Sequence, residues 1–329
     1  MKKRFVILLL MGALGLIVVS SAVGLEAQKL RIATLGVGSS WYVYGGLMAD
    51  VLRKELPAGS MIDVLPHAGG VGNMNLVSEG KAELGLGFPV TARWATEGIM
   101  AYNKRMTNLR ALVGGFDKYF VGIVATRKSK ITSLEDIAKK KIPLRLVTVT
   151  KGSLGEFANR QIMEAVGAPY KIIESFGGKV THTSFGVITK MIVDGQADLF
   201  MQVVTEGHPA MTEIAITADV VFLGLSEEVI RKLTGYGWSA AILPANTFKR
   251  QTSPLETIGT TTNLIATEKL PLDAAYAITK AICENREALA KGHAGLKPFN
   301  PQLGWRPENL GLPLHPGAEK YFKEKGWIR

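Results

Sequence analysis

LGVGSSWYVYGGLMADVLRKEL, residues 35–56, is the stretch that decides the fold. It follows the apolar run KLRIATLG, which is typical of a buried strand, and apolar residues then recur at helical spacing from Val43 to Leu52. A glycine-serine loop therefore joins a strand to a helix. Alternation of strands and helices predicts parallel strand pairing and a sheet flanked by helices.

The same order of elements occurs a second time. Residues 142–167, IPLRLVTVTKGSLGEFANRQIMEAVG, again predict a strand, a glycine-serine loop and a helix. Each copy leads into a similar segment, EGKAEL at 79–84 and DGQADL at 194–199, at almost the same distance from its loop. Two copies of one α/β layout predict two similar lobes.

Two further segments predict how the lobes are joined. YFVGIVATR at 119–127 and LETIGTTTNLIAT at 255–267 are candidate strands that pass between the lobes. A chain that crosses out and back forms a hinge with a cleft, and small ligands bind in such clefts. We expect a signal peptide at 1–24, lobe 1 at 25–126 plus 258–329, and lobe 2 at 127–257.

The N-terminal segment predicts export. A short basic stretch, Met1–Arg4, precedes the apolar run FVILLLMGALGLIVV and then small residues up to Gly24. This is the order of a secretory signal peptide, and it predicts Leu25 as the first mature residue. The alternative is a single membrane anchor, but the apolar run is short for a span of about 20 residues. We expect a periplasmic protein with no stable membrane insertion after signal removal.

Composition limits the possible partners and metal sites. Lys and Arg number 39 against 28 Asp and Glu, giving a formal charge of +11. The basic residues are scattered apart from KKK at 139–141, so we expect no nucleic-acid partner and some attraction of anionic small molecules. The single cysteine, Cys283, lies in a helical pattern and is expected to pack in the core. No metal is expected, because the five histidines show no metal-ligand spacing.

The opening loop does not predict a cofactor or an active site. A dinucleotide fingerprint needs a third glycine where this chain has Trp41. The sequence contains no P-loop run and no G-x-S-x-G elbow. We therefore expect no cofactor and no catalytic residues, and a binding protein rather than an enzyme.

The two glycine-serine loops predict an anion site instead. Each brings backbone N–H groups and hydroxyls to a helix N-terminus, which favours negative charge. We expect Ser39, Ser40 and Ser153 to donate hydroxyls, and the Lys151 ammonium to meet a carboxylate. The alternative is that the serines only cap their own helices and that Lys151 is solvated. The predicted ligand is a small carboxylate or other organic anion.

Nearly the whole mature chain resembles the TAXI family, the solute-binding subunits of TRAP transporters. The most specific stretch is LPLHPGAEKYFKEKG at 312–326. The other matching stretches lie at 36–52, 69–87, 109–141, 151–167 and 270–289. The resemblance implies a two-lobed α/β clamp of the periplasmic-binding-protein type (type II-like), with a ligand cleft between lobes joined by crossing strands. It also implies delivery of a carboxylate or amino acid to membrane permease subunits driven by an ion gradient.

The resemblance also assigns the site. The chain departs from the family at Lys151, at Trp41-Tyr42, where a Tyr pair is usual, and at Phe88-Pro89-Val90, where a polar turn is often found. These departures lie at the mouth of the predicted site and leave the ligand open. The predicted ligand-binding residues are Gly38, Ser39, Ser40, Trp41, Tyr42, Phe88, Lys151, Gly152, Ser153, Leu154 and Gly155.

Two other functions fit the same sequence. One is a binding protein of an ATP-driven importer, and the other is a periplasmic subunit that presents ligand to a sensor kinase. The neighbouring genes would separate these from a TRAP system. In each case we expect a monomer that binds a small molecule.

Overall fold

The structure is a computed structural model that describes residues 25–67 and 69–328. The predicted signal peptide at 1–24 lies outside the described residues. The strands are β1 (Lys29–Leu35), β2 (Met61–His67), β3 (Leu84–Gly87), β4 (Leu109–Gly114), β5 (Tyr119–Thr126), β6 (Arg145–Thr148), β7 (Lys179–His182), β8 (Leu199–Val204), β9 (Val220–Leu223), β10 (Ser239–Leu243), β11 (Leu255–Thr260) and β12 (Asn263–Thr267).

Helices alternate with these strands along the chain. They are α1 (Ser40–Glu55), α2 (Gly72–Ser78), α3 (Pro89–Glu97), α4 (Glu135–Lys139), α5 (Leu154–Ala165), α6 (Tyr170–Ser175), α7 (Phe185–Val193), α8 (Pro209–Thr217), α9 (Glu227–Thr234), α10 (Leu272–Glu284), α11 (Arg286–Gly292), α12 (Pro307–Leu310) and α13 (Pro316–Glu324). Within the described part of the chain, none of them is long and apolar enough to cross a membrane.

The strands form two sheets. The first has the order β2-β1-β3-β12-β4, with β1 parallel to both β2 and β3, and β12 antiparallel to both its neighbours. The second has the order β10-β11-β5-β8-β6-β7, and β9 pairs with β5. Its parallel pairs, β6 with β7 and β6 with β8, repeat the layout of β1 with β2 and β3. The duplicated α/β pattern is thus present in both sheets.

The chain crosses between the sheets twice. Residues 115–118 lead from β4 to β5, and residues 261–262 lead back from β11 to β12. The predicted boundary at residue 126 places β5 in lobe 1, but β5 pairs with β8, β9 and β11 in the second sheet. All eight of its residues are buried, because the strand lies inside that sheet and is covered on both faces. The crossing is therefore made by the short segment before β5.

The apolar core is continuous across both sheets. One cluster of buried side chains includes residues from both, such as Ile32 and Leu264 of the first and Ile123 and Met201 of the second. A smaller cluster fills the other face of the second sheet. Cys283 is buried in the larger cluster, as predicted, and burial raises the pKa of its thiol.

Candidate functional site

A small cavity lies where the two sheets meet. Its volume is about 20 Å³, which holds about one water molecule. An organic solute would enter only if the two halves of the protein, one built on each sheet, moved apart. The lining residues come from both halves and are Leu35, Ser39, Trp41, Gly70, Phe88, Tyr119, Leu154, Gly155, Gln202, Val203 and His208.

Several larger surface pockets in the described structure lie elsewhere. One of about 690 Å³ lies against α10 and α13, beside Cys283 and Trp327. Another of about 570 Å³ borders the crossing segments at Lys118 and Thr261. We assign the candidate site to the small cavity, because two helix N-termini and several buried, unpartnered polar atoms meet there.

The first helix N-terminus is that of α1. Ser39 is its N-cap: the hydroxyl accepts the Tyr42 N–H at 3.1 Å and donates to the Gly36 carbonyl at 2.7 Å. Gly38 has a φ of +90°, and a Cβ there would lie 2.9 Å from the Phe185 Cβ. Capping leaves the first two helical N–H groups, those of Ser40 and Trp41, without a partner among the described residues.

The second helix N-terminus, that of α5, repeats this geometry. Gly152 has a φ of +88°, and the Ser153 hydroxyl caps the helix by accepting the Glu156 N–H at 3.1 Å. The N–H groups of Leu154 and Gly155 have no partner within the described structure. Each sheet therefore supplies one capped helix whose first turn reaches the cavity.

Three aromatic rings form one wall of the cavity. Trp41 is buried and stacks on Phe88 with ring centroids 4.4 Å apart, and Tyr119 meets Phe88 edge-on at 5.2 Å. The neighbouring Tyr42 is 37% exposed and does not line the cavity. Of the two adjacent rings in the predicted loop, only Trp41 faces the interior.

Trp41 is hydrogen-bonded to one crossing segment at Thr262, and through Thr262 to the other at Asp117. Its indole N–H donates to the Thr262 hydroxyl at 2.9 Å, and that hydroxyl donates to Asp117 Oδ2 at 2.9 Å. The Thr262 backbone N–H donates to Asp117 Oδ1 at 2.8 Å. Burial raises the pKa of Asp117 to about 7, although the bonds from Thr262 act in the opposite direction. The aromatic wall is thereby connected to the two crossing segments, 115–118 and 261–262, which would bend if the halves moved apart.

Two polar side chains from the second sheet complete the cavity. Gln202 on β8 and His208 at the start of α8 are each 1% exposed. Neither Gln202 Oε1 nor His208 Nε2 has a hydrogen-bond partner among the described residues. Buried polar atoms normally have partners, so these two are candidates for ligand contact.

The cavity lining contains no ionised side chain among the described residues. The nearest acid along α5 is Glu156, which is buried and pairs with Arg160 at 2.9 Å. Lys151 is exposed and does not line the cavity. In the described ranges, no group of three or more His, Cys, Asp or Glu side chains could hold a metal ion. The polar groups that the described lining offers are neutral side chains and backbone N–H groups.

The predicted site residues divide into two sets. Ser39, Trp41, Phe88, Leu154 and Gly155 line the cavity, and Ser40 is buried with an unpartnered hydroxyl. The predicted residues that do not line it are Gly38, Ser40, Tyr42, Lys151, Gly152 and Ser153.

Sequence reasoning missed six lining residues: Leu35, Gly70, Tyr119, Gln202, Val203 and His208. His208 precedes a proline at the start of a helical pattern, which indicates a helix start and does not indicate a ligand contact.

The predicted α/β fold of the periplasmic-binding-protein type is confirmed by solved structures. Periplasmic binding protein BugD matches with a TM-score of 0.53 and 12% identity, over 92% of this chain and 96% of that one. A binding component of an ABC phosphonate transporter from Pseudomonas aeruginosa gives 0.51 and 13%, over 83% and 80%. MatC from Rhodopseudomonas palustris, with bound malate, gives 0.50 and 15%, over 92% and 98%. A family model covers residues 32–326, and the chain belongs to the NMT1-like family.

Proposed function

We propose that this chain is a periplasmic solute-binding protein that captures a small organic anion and delivers it to a membrane permease. One observation carries the proposal. The capped N-termini of α1 and α5 reach one cavity from the two sheets, and each leaves two backbone N–H groups without a partner among the described residues. Among proteins of similar fold, MatC holds malate, which is an anion, whereas a periplasmic thiamin binding protein takes a cation, so the anion assignment is supported by the helix N-termini and not by the fold.

The charge of the ligand follows from the donors. A helix N-terminus carries a partial positive charge, and its free N–H groups favour an anion. The Ser39 and Ser153 hydroxyls are used as caps, so the proposed donors are the N–H groups of Ser40, Trp41, Leu154 and Gly155. The Ser153 hydroxyl accepts in its cap and keeps its own hydrogen to donate, and the buried Ser40 hydroxyl has no partner among the described residues; neither serine lines the cavity in this arrangement.

We further propose that the permease is of the TRAP type and that the chain is a TAXI-type subunit without catalytic activity. The support is the resemblance, above all at residues 312–326. In the structure this stretch includes α13, which packs on α10 through Tyr321 and Tyr276, with ring centroids 6.0 Å apart. Because the fold also occurs in a component of an ABC transporter, the fold does not distinguish the two kinds of permease.

The experiment is mass spectrometry of small molecules retained by the protein after purification from the periplasm. We expect an organic anion. At 100 times its dissociation constant, that compound should add about 2.7 kcal/mol of stability, which raises the melting temperature by about 5 to 10 °C. A retained cation or neutral compound would overturn the anion assignment, and turnover of the compound would indicate an enzyme.

Small-angle scattering tests the movement of the two halves. Because the cavity in this closed arrangement holds only about one water, an organic ligand requires the halves to open and close around it. We expect the retained compound to reduce the radius of gyration of the ligand-free protein. A melting shift without any such contraction would contradict closure.

A further inference from the structure

Three buried histidines in this chain cap helices in the same way. Nδ1 accepts a backbone N–H in each: from Met211 at 3.3 Å for His208, from Gly295 at 3.0 Å for His293 and from Gly317 at 3.1 Å for His315. In all three, Nε2 has no partner among the described residues. Only His208 belongs to the described lining of the cavity between the sheets.

The cap fixes the tautomer of His208. A ring nitrogen that accepts a hydrogen bond carries no hydrogen, so the neutral imidazole carries its hydrogen on Nε2. Burial lowers the pKa of His208 to about 3, and the nearby His293 acts in the same direction. The ring is therefore a neutral hydrogen-bond donor throughout the physiological pH range.

This donor lies beside the α1 N-terminus. The Ala210 N–H, two residues after His208, donates to the Gly38 carbonyl at 3.4 Å and so holds the start of α8 against the α1 loop. Gln202, which lines the same cavity, presents an unpartnered amide oxygen. A donor and an acceptor without partners thus lie near the N–H groups proposed to hold the anion.

We propose that His208 determines specificity by donating its Nε2–H to a hydroxyl or carbonyl oxygen close to the carboxylate of the bound acid. This inference rests on the proposed function and identifies the substrate class. A hydroxyl complements both orphaned atoms, since it can accept from His208 and donate to Gln202. An ammonium group does not, because it would face the His208 donor, and no described lining residue is acidic. The site then favours hydroxy acids over unsubstituted acids and amino acids of the same skeleton.

Calorimetry with two matched series tests this preference. The probes are propionate, lactate and alanine, and succinate, malate and aspartate. In whichever series binds, we expect the hydroxy acid to bind at least about tenfold more tightly than the unsubstituted acid, since its hydroxyl adds hydrogen bonds to His208 and Gln202 that the unsubstituted acid lacks. His208→Asn should reduce that ratio several-fold, because the Asn oxygen can still cap α8 while the ring donor is lost and only the contact with Gln202 remains. His208→Gln, which returns an amide N–H near the Nε2 position, should restore part of the ratio.

His315→Asn is the matched control. This buried histidine caps α13 in the same way but lies outside the cavity, so its variant should keep the wild-type ratio. Nitrogen NMR of the wild-type protein adds a measurement that needs no variant: His208 should be the Nε2–H tautomer, and malate or lactate should shift that proton.

The outcomes separate the two proposals. An unchanged ratio in His208→Asn, equal affinity for the amino acid, or an Nδ1–H tautomer would overturn the role of His208 and leave the anion-binding function intact. If none of the six acids binds, the proposed ligand class is wrong, and the role of His208 is overturned with it.

Discussion

Replacing Asp117 with Asn should change how stability depends on pH. Asp117 is buried in the first crossing segment, and its carboxylate accepts hydrogen bonds from the backbone N–H and the hydroxyl of Thr262. Burial raises the pKa of Asp117 to about 7. An unfolded Asp ionises near pH 3.9, so the folded protein binds this proton more tightly than the unfolded chain does.

The sign and size of the effect follow from that difference. Stability contributed by a raised carboxyl pKa is fully present below about pH 4 and is lost as the pH rises through 7. Between pH 5 and pH 8 the loss amounts to about 2.6 kcal/mol of the free energy of unfolding. Asn has no proton to lose, so the free energy of unfolding of Asp117→Asn should rise by about 2.6 kcal/mol relative to wild type across this interval.

Urea unfolding at pH 5 and at pH 8 gives, at each pH, the difference in the free energy of unfolding between Asp117→Asn and the wild type. The variant must be compared with the wild type at each pH, because three histidines affect both proteins. His208, His293 and His315 have lowered pKa values, so their contribution to the free energy of unfolding changes with pH in the direction opposite to that of Asp117. Their stability is lost as the pH falls below the unfolded value of about 6.5. The control is Asp219→Asn, whose side chain is 70% exposed and should give the same difference at both pH values. If Asp117→Asn also gives equal differences, the argument from burial is wrong.

Three further variants test the cavity with the retained compound. Trp41→Phe removes the stacked indole and should abolish most of the ligand-induced change in fluorescence; an unchanged signal would assign the response to another tryptophan. Gly155→Ala places a Cβ 1.5 Å from the present position of Gln202 Oε1, so Gln202 must move and affinity should fall roughly tenfold. Gly46→Ala, which meets nothing within 4 Å, is its control and should bind as wild type does. Lys151→Met should weaken binding less than about threefold, because the side chain is solvated; a larger loss that salt reduces would place its ammonium near the ligand.

The sequence predicted the fold well because the duplicated pattern is local. A strand, a loop with a glycine at positive φ, a serine cap and an amphipathic helix follow one another within about 20 residues, and local rules identify each part. The assignment of β5 to a sheet is not local. Its apolar run fits any buried strand, and only pairing with β8 and β9, far along the chain, places it in the second sheet.

The site was predictable only where it repeats that local pattern. The sequence predicted both loops and left open whether Ser39 and Ser153 cap their own helices, which they do in the structure. Gln202 and His208 carry no pattern that points to a ligand. Their relevance comes from burial without a partner, which requires the three-dimensional structure.

The position of β12 also determines the order in which the chain can fold. This strand lies between β3 and β4 and pairs with both, although it follows them only after the whole second sheet. All strands of the second sheet lie within residues 119–260, so that sheet can form while the first still lacks its connecting strand. Pairing across so long a separation is slow, and the unpaired edges of β3 and β4 remain open to wrong partners until β12 arrives. A chain that emerges N-terminus first therefore passes through a stage in which one half is folded and the other is divided, until β12, the last of the described strands along the chain, closes the first sheet.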